Sequence, residues 1–436
     1  MENTLKYKEL GRHEVLDVSI VIETINKELT YKTPHFDYDF NLGFRIKFNN
    51  CDCKYSIIVM DKHTREVISK VVFIPEENTV YQLHKKYFID CEIRIFKVIN
   101  DACEPYPLKV ITFDIQNKDV LILIASDRNP AGLGDSIAWM TAAYQFKLKH
   151  PDTNVYIHMA YPDLEEIFKL KYSEYFNFIT YSEIKDRLYY TTYLCGCFFD
   201  DVDLKFCPMR YEKVGLIESA CLVLGIDYDE KIKLNVSMKE DTQRQPYVCM
   251  ATHASGLYKE WINPRSRDKL VSFFKHNFKY DVYSIDLKAE ESIHSFFKTS
   301  ISKYTIDETG RLPLIDRVKL ISGADFFIGI SSGLSWLAWI CDVPVVLISG
   351  FTSPITEFKT PYRVINKYEC NSCWNDETIK WDMATTCCPR KDNNIFRPDF
   401  LVCSTSINFY SVMNVVKEIP IVKSKFGEVC DSWDKS

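Results

Sequence analysis

The stretch Val120–Ala125 (VLILIA) is an uninterrupted apolar run. Runs of this kind are typical of strands in a parallel sheet that is covered on both faces. A loop containing Pro130, Gly132 and Gly134 follows, and a helical pattern then runs from 136 to 149. A buried strand that leads through a glycine-containing loop into a helix predicts a βα unit, and hence an α/β fold.

Two series of strand and helix patterns extend from this unit. The first continues from a strand at 155–160 to about residue 224, and the second opens with a strand at 246–251. Two such series, joined near 225–245, predict two doubly wound halves with a ligand-binding cleft between them. The other predicted elements are helices at 265–276, 314–322, 334–341 and 411–418 and strands at 280–285, 325–330 and 343–348.

The region before these series has a different pattern. Apolar residues alternate in short runs at 17–22, 43–48, 55–60 and 91–96, which are separated by turn residues. Alternation with a period of two predicts half-buried antiparallel strands. We therefore expect residues 1–118 to form an N-terminal antiparallel β-domain, either a small sandwich or a barrel.

Composition limits the classes of function. The chain has 436 residues, enough for two or three domains, and a net charge of −6 with basic residues dispersed among acidic ones. This charge distribution argues against a nucleic acid as the main partner. No signal-peptide pattern begins at Met1, and no apolar run approaches the roughly 18 residues of a membrane span. We expect a cytoplasmic protein with reduced thiols.

The loop before the first helix carries a candidate catalytic residue. Gly132 and Gly134 allow backbone amides to approach a ligand, and the helix N-terminus favours an anion. Asp135 would lie at the mouth of the cleft, either as a carboxylate that caps the helix or as a general base. The dinucleotide-binding fingerprint is absent, because Ile137 occupies its third glycine position.

A second candidate segment follows the first strand of the second half. Within 255–261, Lys259 can donate hydrogen bonds to a diphosphate across the cleft, although a solvated surface lysine is the alternative. Trp261 either stacks on a ring of the ligand or packs against the following helix.

The third candidate segment joins a buried strand to a helix. Ser331, Ser332, Gly333 and Leu334 place hydroxyls and free amides where a helix begins, and the helix dipole stabilises a phosphate there. An ordinary N-cap role for either serine is compatible with phosphate binding, since the same amides serve both.

Cysteines near the C-terminus form a candidate metal site. Cys370 and Cys373 have the Cys-x-x-Cys spacing, and Cys387, Cys388 and Cys403 follow within the next 30 residues. Four thiolates around a tetrahedral centre suit zinc or iron. The alternative is a set of free cysteines that pack as small apolar groups.

Together these segments resemble the bacterial autotransporter heptosyltransferases, which are relatives of the lipopolysaccharide heptosyltransferases with a GT-B fold. The resemblance is carried by 129–138, 257–261, 332–338 and 343–351, and it covers roughly 120–403. It implies transfer of heptose from ADP-heptose to serine hydroxyls of an autotransporter passenger protein. It also implies assembly into a large homo-oligomer.

The resemblance also implies roles for individual residues. Asp135 matches the catalytic aspartate of the family, Lys259 its lysine for the donor diphosphate, and 331–334 its phosphate-side loop. Trp336 stands where the lipopolysaccharide branch usually has histidine, which favours the branch that modifies proteins.

The family also carries a cysteine-ligated iron finger after its second half. By this resemblance Cys370, Cys373, Cys388 and Cys403 would hold one structural iron ion per chain, with zinc as the alternative. Cys387 beside Cys388 leaves the third ligand ambiguous, and we prefer Cys388 because Pro389 follows it.

The predicted architecture is a GT-B-like pair of Rossmann domains with two additions. Its parts are the N-terminal β-rich domain (1–118), the acceptor-side half with the catalytic aspartate (119–235), the donor-side half (236–366), the cysteine metal finger (367–405) and a C-terminal helix and tail (406–436). Two alternatives stay open. One is a lipopolysaccharide-core heptosyltransferase, for which we would expect a membrane-facing amphipathic helix that is not evident here. The other is a non-catalytic module that binds a nucleotide or a metal.

Overall fold

A computed structural model defines the fold of this chain. It describes residues 6–9, 28–124, 132–199, 201–239, 245–254, 256–293, 297–379, 388 and 401–425. The predicted strand at 17–22, the loop residues 129–131, Ser255, Cys387 and most of the predicted finger lie outside the described residues.

The regular elements in the described part of the N-terminal region are all strands. They are β1 (Lys6–Glu9), β2 (Tyr31–Lys32), β3 (Phe36–Asn41), β4 (Arg45–Phe48), β5 (Lys54–Asp61), β6 (Val67–Phe73), β7 (Thr79–Gln82), β8 (Cys91–Ile99), β9 (Ala102–Cys103) and β10 (Lys109–Thr112). Four of them form an antiparallel sheet in the order β10-β8-β5-β6, with β9 paired to β8. The antiparallel strands predicted at 43–48, 55–60 and 91–96 are confirmed as β4, β5 and β8.

The first α/β half follows. Its elements are β11 (Asp119–Ile124), α1 (Leu133–Lys149), β12 (Asn154–Met159), α2 (Pro162–Tyr172), β13 (Asn177–Phe178), α3 (Tyr181–Ile184), β14 (Thr191–Cys195) and α4 (Leu216–Leu224). Strand β11 is parallel to both of its neighbours, β12 and β14, and five of its six residues are buried. The continuous apolar run therefore marks a central parallel strand, as predicted.

The N-terminal strands continue the sheet of this half. Strand β3 pairs in parallel with β14, with Phe40 opposite Thr191 and Asn41 opposite Thr192, giving the order β1-β7-β4-β3-β14-β11-β12-β13. The antiparallel sheet packs on the same core, since Ile57 and Ile95 share one cluster of buried side chains with Phe44. The predicted sandwich is thus built from one sheet of its own and one shared with the α/β half.

The second half has a sheet of its own. Its elements are β15 (Tyr247–Ala251), α5 (Pro264–Phe273) with a π-helical turn (Phe274–Phe278), β16 (Asp281–Ser284), the hairpin β17 (Glu290–Ile293) and β18 (Phe297–Ser300), β19 (Ile306–Asp307), α6 (Leu314–Ser322), β20 (Phe326–Ile330), α7 (Gly333–Ile340), β21 (Val345–Ile348) and β22 (Arg363–Val364). Single 3₁₀ turns lie at Leu257–Lys259 and Cys373–Asn375, and α8 (Val402–Thr405) and α9 (Phe409–Val416) follow near the C-terminus.

The strand order locates the ligand crevice of the second half. The order β19-β16-β15-β20-β21-β22 is parallel throughout, so the chain moves outward in one direction from β15 and in the other from β20. Connections that diverge in this way leave a crevice at the carboxyl ends of β15 and β20. The residues that follow these two strands are therefore the ones placed to meet a ligand.

The C-terminal helix belongs to the second half. Val412 and Val416 of α9 are fully buried in one cluster with Phe326 and Val346 of the second sheet. The helix predicted at 411–418 therefore covers one face of this sheet. Among the described residues, no helix is both long enough and apolar enough to cross a membrane.

Candidate functional site

The first turns of α1 and α7 meet across the two halves. A Cβ atom at Gly134 would lie 2.6 Å from Cδ1 of Trp336, and one at Gly333 would lie 2.6 Å from Cβ of Leu133. Only glycine permits this approach of the backbones, which explains why both loops carry it. Since a helix N-terminus is electropositive, the two adjoining starts favour an anion between them.

Asp135 lies in the first turn of α1 and is partly buried. Its Oδ2 accepts a hydrogen bond of 3.1 Å from the amide of Gly132, so the carboxylate does cap the helix. Burial raises the pKa of the Asp135 carboxyl above its ordinary value, while Lys259 and the Gly132 amide act to lower it. A carboxyl group with a raised pKa is a better proton acceptor when it ionises, so the observed cap is compatible with the predicted base function.

Lys259 comes from the other half, in the 3₁₀ turn that follows β15. It is partly buried, and its Nζ lies 5.2 Å from the ring centroid of Phe351. Burial lowers the pKa of its ammonium group, whereas Asp135 and Glu357 act to raise it. The structure thus brings the predicted carboxylate and the predicted lysine together, and the alternative of a solvated surface lysine does not hold.

Glu357 is a residue that the sequence analysis missed. Its buried carboxylate accepts hydrogen bonds from the hydroxyls of Ser331 and Thr352, and its Oε2 lies 3.0 Å from Nη2 of Arg363. The negative charge beneath the Ser331 loop is therefore balanced by Arg363 on one side and Lys259 on the other. No spacing motif marks Glu357, because it lies in a loop without a regular pattern and its partner Ser331 comes from another loop.

The rest of the predicted phosphate-side loop surrounds the start of α7. Ser332 is the N-cap residue, with an extended backbone, and its side chain makes no capping hydrogen bond. Gly333 and Leu334 are partly buried in the first turn, and Trp336 packs its ring 5.0 Å from that of Phe358. The loop amides and the Ser332 hydroxyl are thus placed at the crevice that the strand order defines.

Trp261 lies in the core rather than along the crevice. It is fully buried, and its Nε1 donates a 2.9 Å hydrogen bond to the carbonyl of Ile407, just before α9. Of the two functions considered from the sequence, the packing role accounts for this geometry. Its assignment to donor binding stays a prediction that no contact of the side chain supports.

A buried group of ionisable side chains lies behind Lys259. Burial raises the pKa of Glu260 to about 7, while Thr299, the amide of Ala254 and Arg267 act to lower it. Asp286 accepts a hydrogen bond of 3.0 Å from the amide of Thr252. Charged residues that follow β15 and β16 are therefore buried together near the carboxyl ends of these strands.

The predicted metal ligands lie in one region, and the described part of the chain does not form a complete site there. Cys370 is exposed, Cys373 is buried, and Cys388 and Cys403 are partly exposed. Burial raises the pKa of the Cys403 thiol to about 11, and Cys388 and Cys370 add to that shift. Among the described residues, no group of three or more Cys, His, Asp or Glu side chains is arranged to hold a metal ion. Thiols that lie near one another have the chemistry that iron or zinc requires of its ligands. The described residues do not include a metal-bound finger.

Comparison with known proteins identifies the family. No protein-family model matches the chain. It is 34% identical over 377 residues to the autotransporter heptosyltransferase BAHTCr of Citrobacter rodentium (strain ICC168), across 85% of this chain and 87% of that protein. It is 28% identical over 396 residues to BimC of Burkholderia thailandensis (strain ATCC 700388 / DSM 13276 / CCUG 48851 / CIP 106301 / E264), an inactive autotransporter heptosyltransferase, across 88% of this chain and 85% of that protein.

The fold agrees with this relationship. The structure matches the crystal structure of TibC, an iron-containing dodecameric glycosyltransferase of enterotoxigenic E. coli H10407, with a TM-score of 0.80 and 30% identity over 90% of this chain and 97% of TibC. A crystal structure of TibC in complex with ADP-D-β-D-heptose matches equally well. The class defined here is that of glycosyltransferases built on two facing α/β halves. The chain belongs to the autotransporter heptosyltransferase family.

Proposed function

We propose that this protein transfers heptose from ADP-heptose to serine hydroxyls of an autotransporter passenger protein in the cytoplasm. The observation that carries the proposal is the meeting of Asp135 and Lys259 beside the adjoining starts of α1 and α7. The family relationship supports the donor, because TibC has been crystallised with ADP-D-β-D-heptose. The relationship to autotransporter heptosyltransferases supports the acceptor class.

The donor diphosphate would lie between Lys259 and the loop 331–334. The ammonium group and the amides at the start of α7 would stabilise its negative charge, which grows as the diphosphate leaves. This arrangement needs no catalytic metal ion on the diphosphate. The Gly132 and Gly134 amides would face the same anion from the α1 side.

Asp135 would act as the general base. Its carboxylate would take the proton of the serine hydroxyl while the serine oxygen forms a bond to the anomeric carbon of the heptose. The bond from that carbon to the diphosphate oxygen breaks, and ADP departs. Trp336, which contacts Gly134, would fill the space that histidine occupies in the lipopolysaccharide branch.

The cysteine segment would hold a structural iron ion. TibC is an iron-containing dodecamer, which supports both a bound iron and a large homo-oligomer for this chain. Cys370, Cys373, Cys388 and Cys403 would close a four-thiolate coordination sphere, leaving no position for an activated water. The ion's contribution would be to order a segment that has no apolar core of its own.

Metal analysis of two adjacent variants tests this ligand set. We expect purified wild-type protein to contain about one metal ion per chain and Cys388→Ser to lose it, whereas Cys387→Ser should retain it. Elemental analysis with iron and zinc standards measures both. Full metal content in Cys388→Ser, or a content near zero in the wild type, would contradict the proposed ligands.

Intact-mass measurement tests the activity. The purified enzyme is incubated with ADP-heptose and a candidate passenger, and mass increments equal to whole heptose units on the passenger are expected. Asp135→Asn is the control for transfer without the base. Transfer to a lipid-linked core sugar instead of the passenger would favour the lipopolysaccharide alternative. No transfer to either acceptor would place the protein with its inactive relative BimC.

A further inference from the structure

A short segment at the start of the cysteine region joins the two halves. We call residues 372–377 the bridge segment. Its backbone is attached to the second half, since the amide of Ser372 donates to the carbonyl of Gly350 at 2.7 Å and the amide of Trp374 donates to that of Phe351 at 3.1 Å. These bonds fix the segment against the loop that follows β21.

The side chain of Asn375 connects this segment to both halves at once. Its Oδ1 accepts hydrogen bonds from the amide of Ser353 at 2.8 Å and the hydroxyl of Thr356 at 3.1 Å, both in the second half. Its Nδ2 donates to the carbonyl of Glu212 in the first half at 3.0 Å. One amide group therefore holds two loop segments that belong to different halves.

Trp374 makes the corresponding apolar connection. Its ring centroid lies 5.5 Å from that of Phe351 in the second half, and 5.1 Å and 5.8 Å from those of Tyr211 and Phe199 in the first half. Ring pairs at these separations are favourable beyond the area that they bury. The tryptophan is therefore the centre of an aromatic cluster that crosses the cleft.

One end of this cluster contacts a candidate catalytic residue, and the other end is close in sequence to a neighbour of the second. Phe351 lies under the ammonium group of Lys259, with 5.2 Å from Nζ to the ring centroid. On the other side, Phe199 follows Cys197 by two residues, and burial together with the nearby negative charge of Asp135 raises the pKa of the Cys197 thiol. A shift of the bridge segment would therefore change the separation of Asp135 and Lys259, which come from opposite halves.

We propose that the bridge segment sets the distance between the two halves, with Trp374 and Asn375 as positioning residues for Asp135 and Lys259. The inference rests on the proposed heptosyl transfer. Neither residue touches the reacting atoms. Each stabilises the closed arrangement in which the proton acceptor on one half faces the diphosphate ligand on the other, and a small misplacement of such groups is costly to the rate.

Substitutions at Asn375 and Trp374 would break individual contacts between the bridge segment and the first half. Asn375→Asp keeps the oxygen that accepts from Ser353 and Thr356 but removes the donor to Glu212, so it breaks only the bond to the first half. Trp374→Leu removes the aromatic connection, and Trp374→Phe restores a ring. Tyr144→Leu is the matched control, because Tyr144 is also partly buried and its ring packs against those of Tyr172 and Tyr175 within the first half.

The experiment measures kcat and KM for ADP-heptose, ADP affinity by calorimetry, thermal unfolding and metal content in full-length protein. We expect kcat/KM to fall about 10- to 100-fold in Trp374→Leu and Asn375→Asp. ADP affinity should fall as well, while the melting temperature and metal content stay near those of the wild type. Trp374→Phe should recover most of the activity, and Tyr144→Leu should keep it.

Two results would overturn the proposal. One is unchanged kcat/KM and ADP affinity in both Trp374→Leu and Asn375→Asp. The other is an equal loss in Tyr144→Leu, which would indicate a general effect of aromatic truncation. Small-angle scattering separates this inference from the proposed function. The wild type transferring no heptose would contradict the proposed function. A larger radius of gyration and weaker ADP binding in both bridge variants would still support the positioning role of the bridge segment.

Discussion

Two pairs of an aspartate and a basic residue in this protein differ in their burial and in their hydrogen bonding. Asp39 and Arg45 face each other on neighbouring strands, are almost fully buried, and are joined by two hydrogen bonds of 2.6 and 2.7 Å. Asp135 and Lys259 come from different halves and stay partly exposed at a cleft, and burial is the largest influence on the pKa of each.

The difference separates a structural pair from the pair for which we propose a function. Arg45 offers two parallel N–H groups that match one carboxylate, so that pair leaves no capacity for a ligand. In the cleft, the Asp135 carboxylate accepts a hydrogen bond from the Gly132 amide, and the charges of Asp135 and Glu357 both act on the pKa of Lys259. The proposed site thus combines two charged groups whose pKa values are shifted by burial, as is common where a substrate binds.

Breaking the structural pair should give the largest loss of stability. Arg45→Met leaves Asp39 as an uncompensated buried charge, and we expect it to lower the free energy of unfolding by about 3–5 kcal/mol. Denaturant unfolding measures this. Lys54→Ala, which breaks the exposed pair with Asp101, is the control and should have little effect. If Arg45→Met were as mild as that control, the two pairs would not differ as described.

Removing the base should have a large effect on activity and a small one on stability. Asp135→Asn keeps an oxygen that can accept the Gly132 amide, so the helix cap should survive. We expect heptose transfer to fall by about 100-fold or more, because general-base assistance is lost. Turnover and the melting temperature are measured together. Near-normal turnover would leave helix capping as the only function of Asp135.

Removing the lysine should affect donor binding first. Lys259→Ala loses a charge-assisted contact to the diphosphate, and we expect ADP affinity to fall about 10- to 100-fold by calorimetry. Lys233→Ala is the matched control, because Lys233 is also partly exposed but forms its ion pair with Asp342, at 2.5 Å, and not with Asp135. Equal ADP affinity in both variants would remove Lys259 from the donor site.

A smaller effect should appear in the pH dependence of stability. Burial raises the pKa of Glu260 from its ordinary 4.5 to about 7, so folding opposes its ionisation. Its contribution is therefore most favourable below about pH 4.5 and declines as pH rises to about 7. Glu260→Gln removes this dependence. The melting temperature of the wild type minus that of the variant should therefore be smaller at about pH 8 than at about pH 5. A constant difference would indicate that Glu260 ionises normally.

The sequence alone predicted those parts of the candidate site that lie within one short segment of the chain. The loop at Gly132 and Gly134, the lysine after β15 and the serine–glycine turn after β20 each follow a predicted strand, and strand ends are where such folds bind ligands. Glu357 was not accessible, because its hydrogen bonds to Ser331 and Thr352 depend on the path of a loop without a regular pattern. Trp261 had two possible functions from sequence, and its burial beside Ile407 was needed to see the packing role.

The sequence by itself determined the local elements, because hydrophobic periodicity reflects which face of a helix or strand is buried. Helix α6 runs from Leu314 to Ser322, as predicted, and the run VLILIA became the central strand β11. Only the tertiary structure decided that β3 joins β14 in one sheet and that the bridge segment crosses the cleft. These contacts join residues about 150 positions apart, and no local pattern encodes a pairing that arises when distant surfaces become complementary on folding.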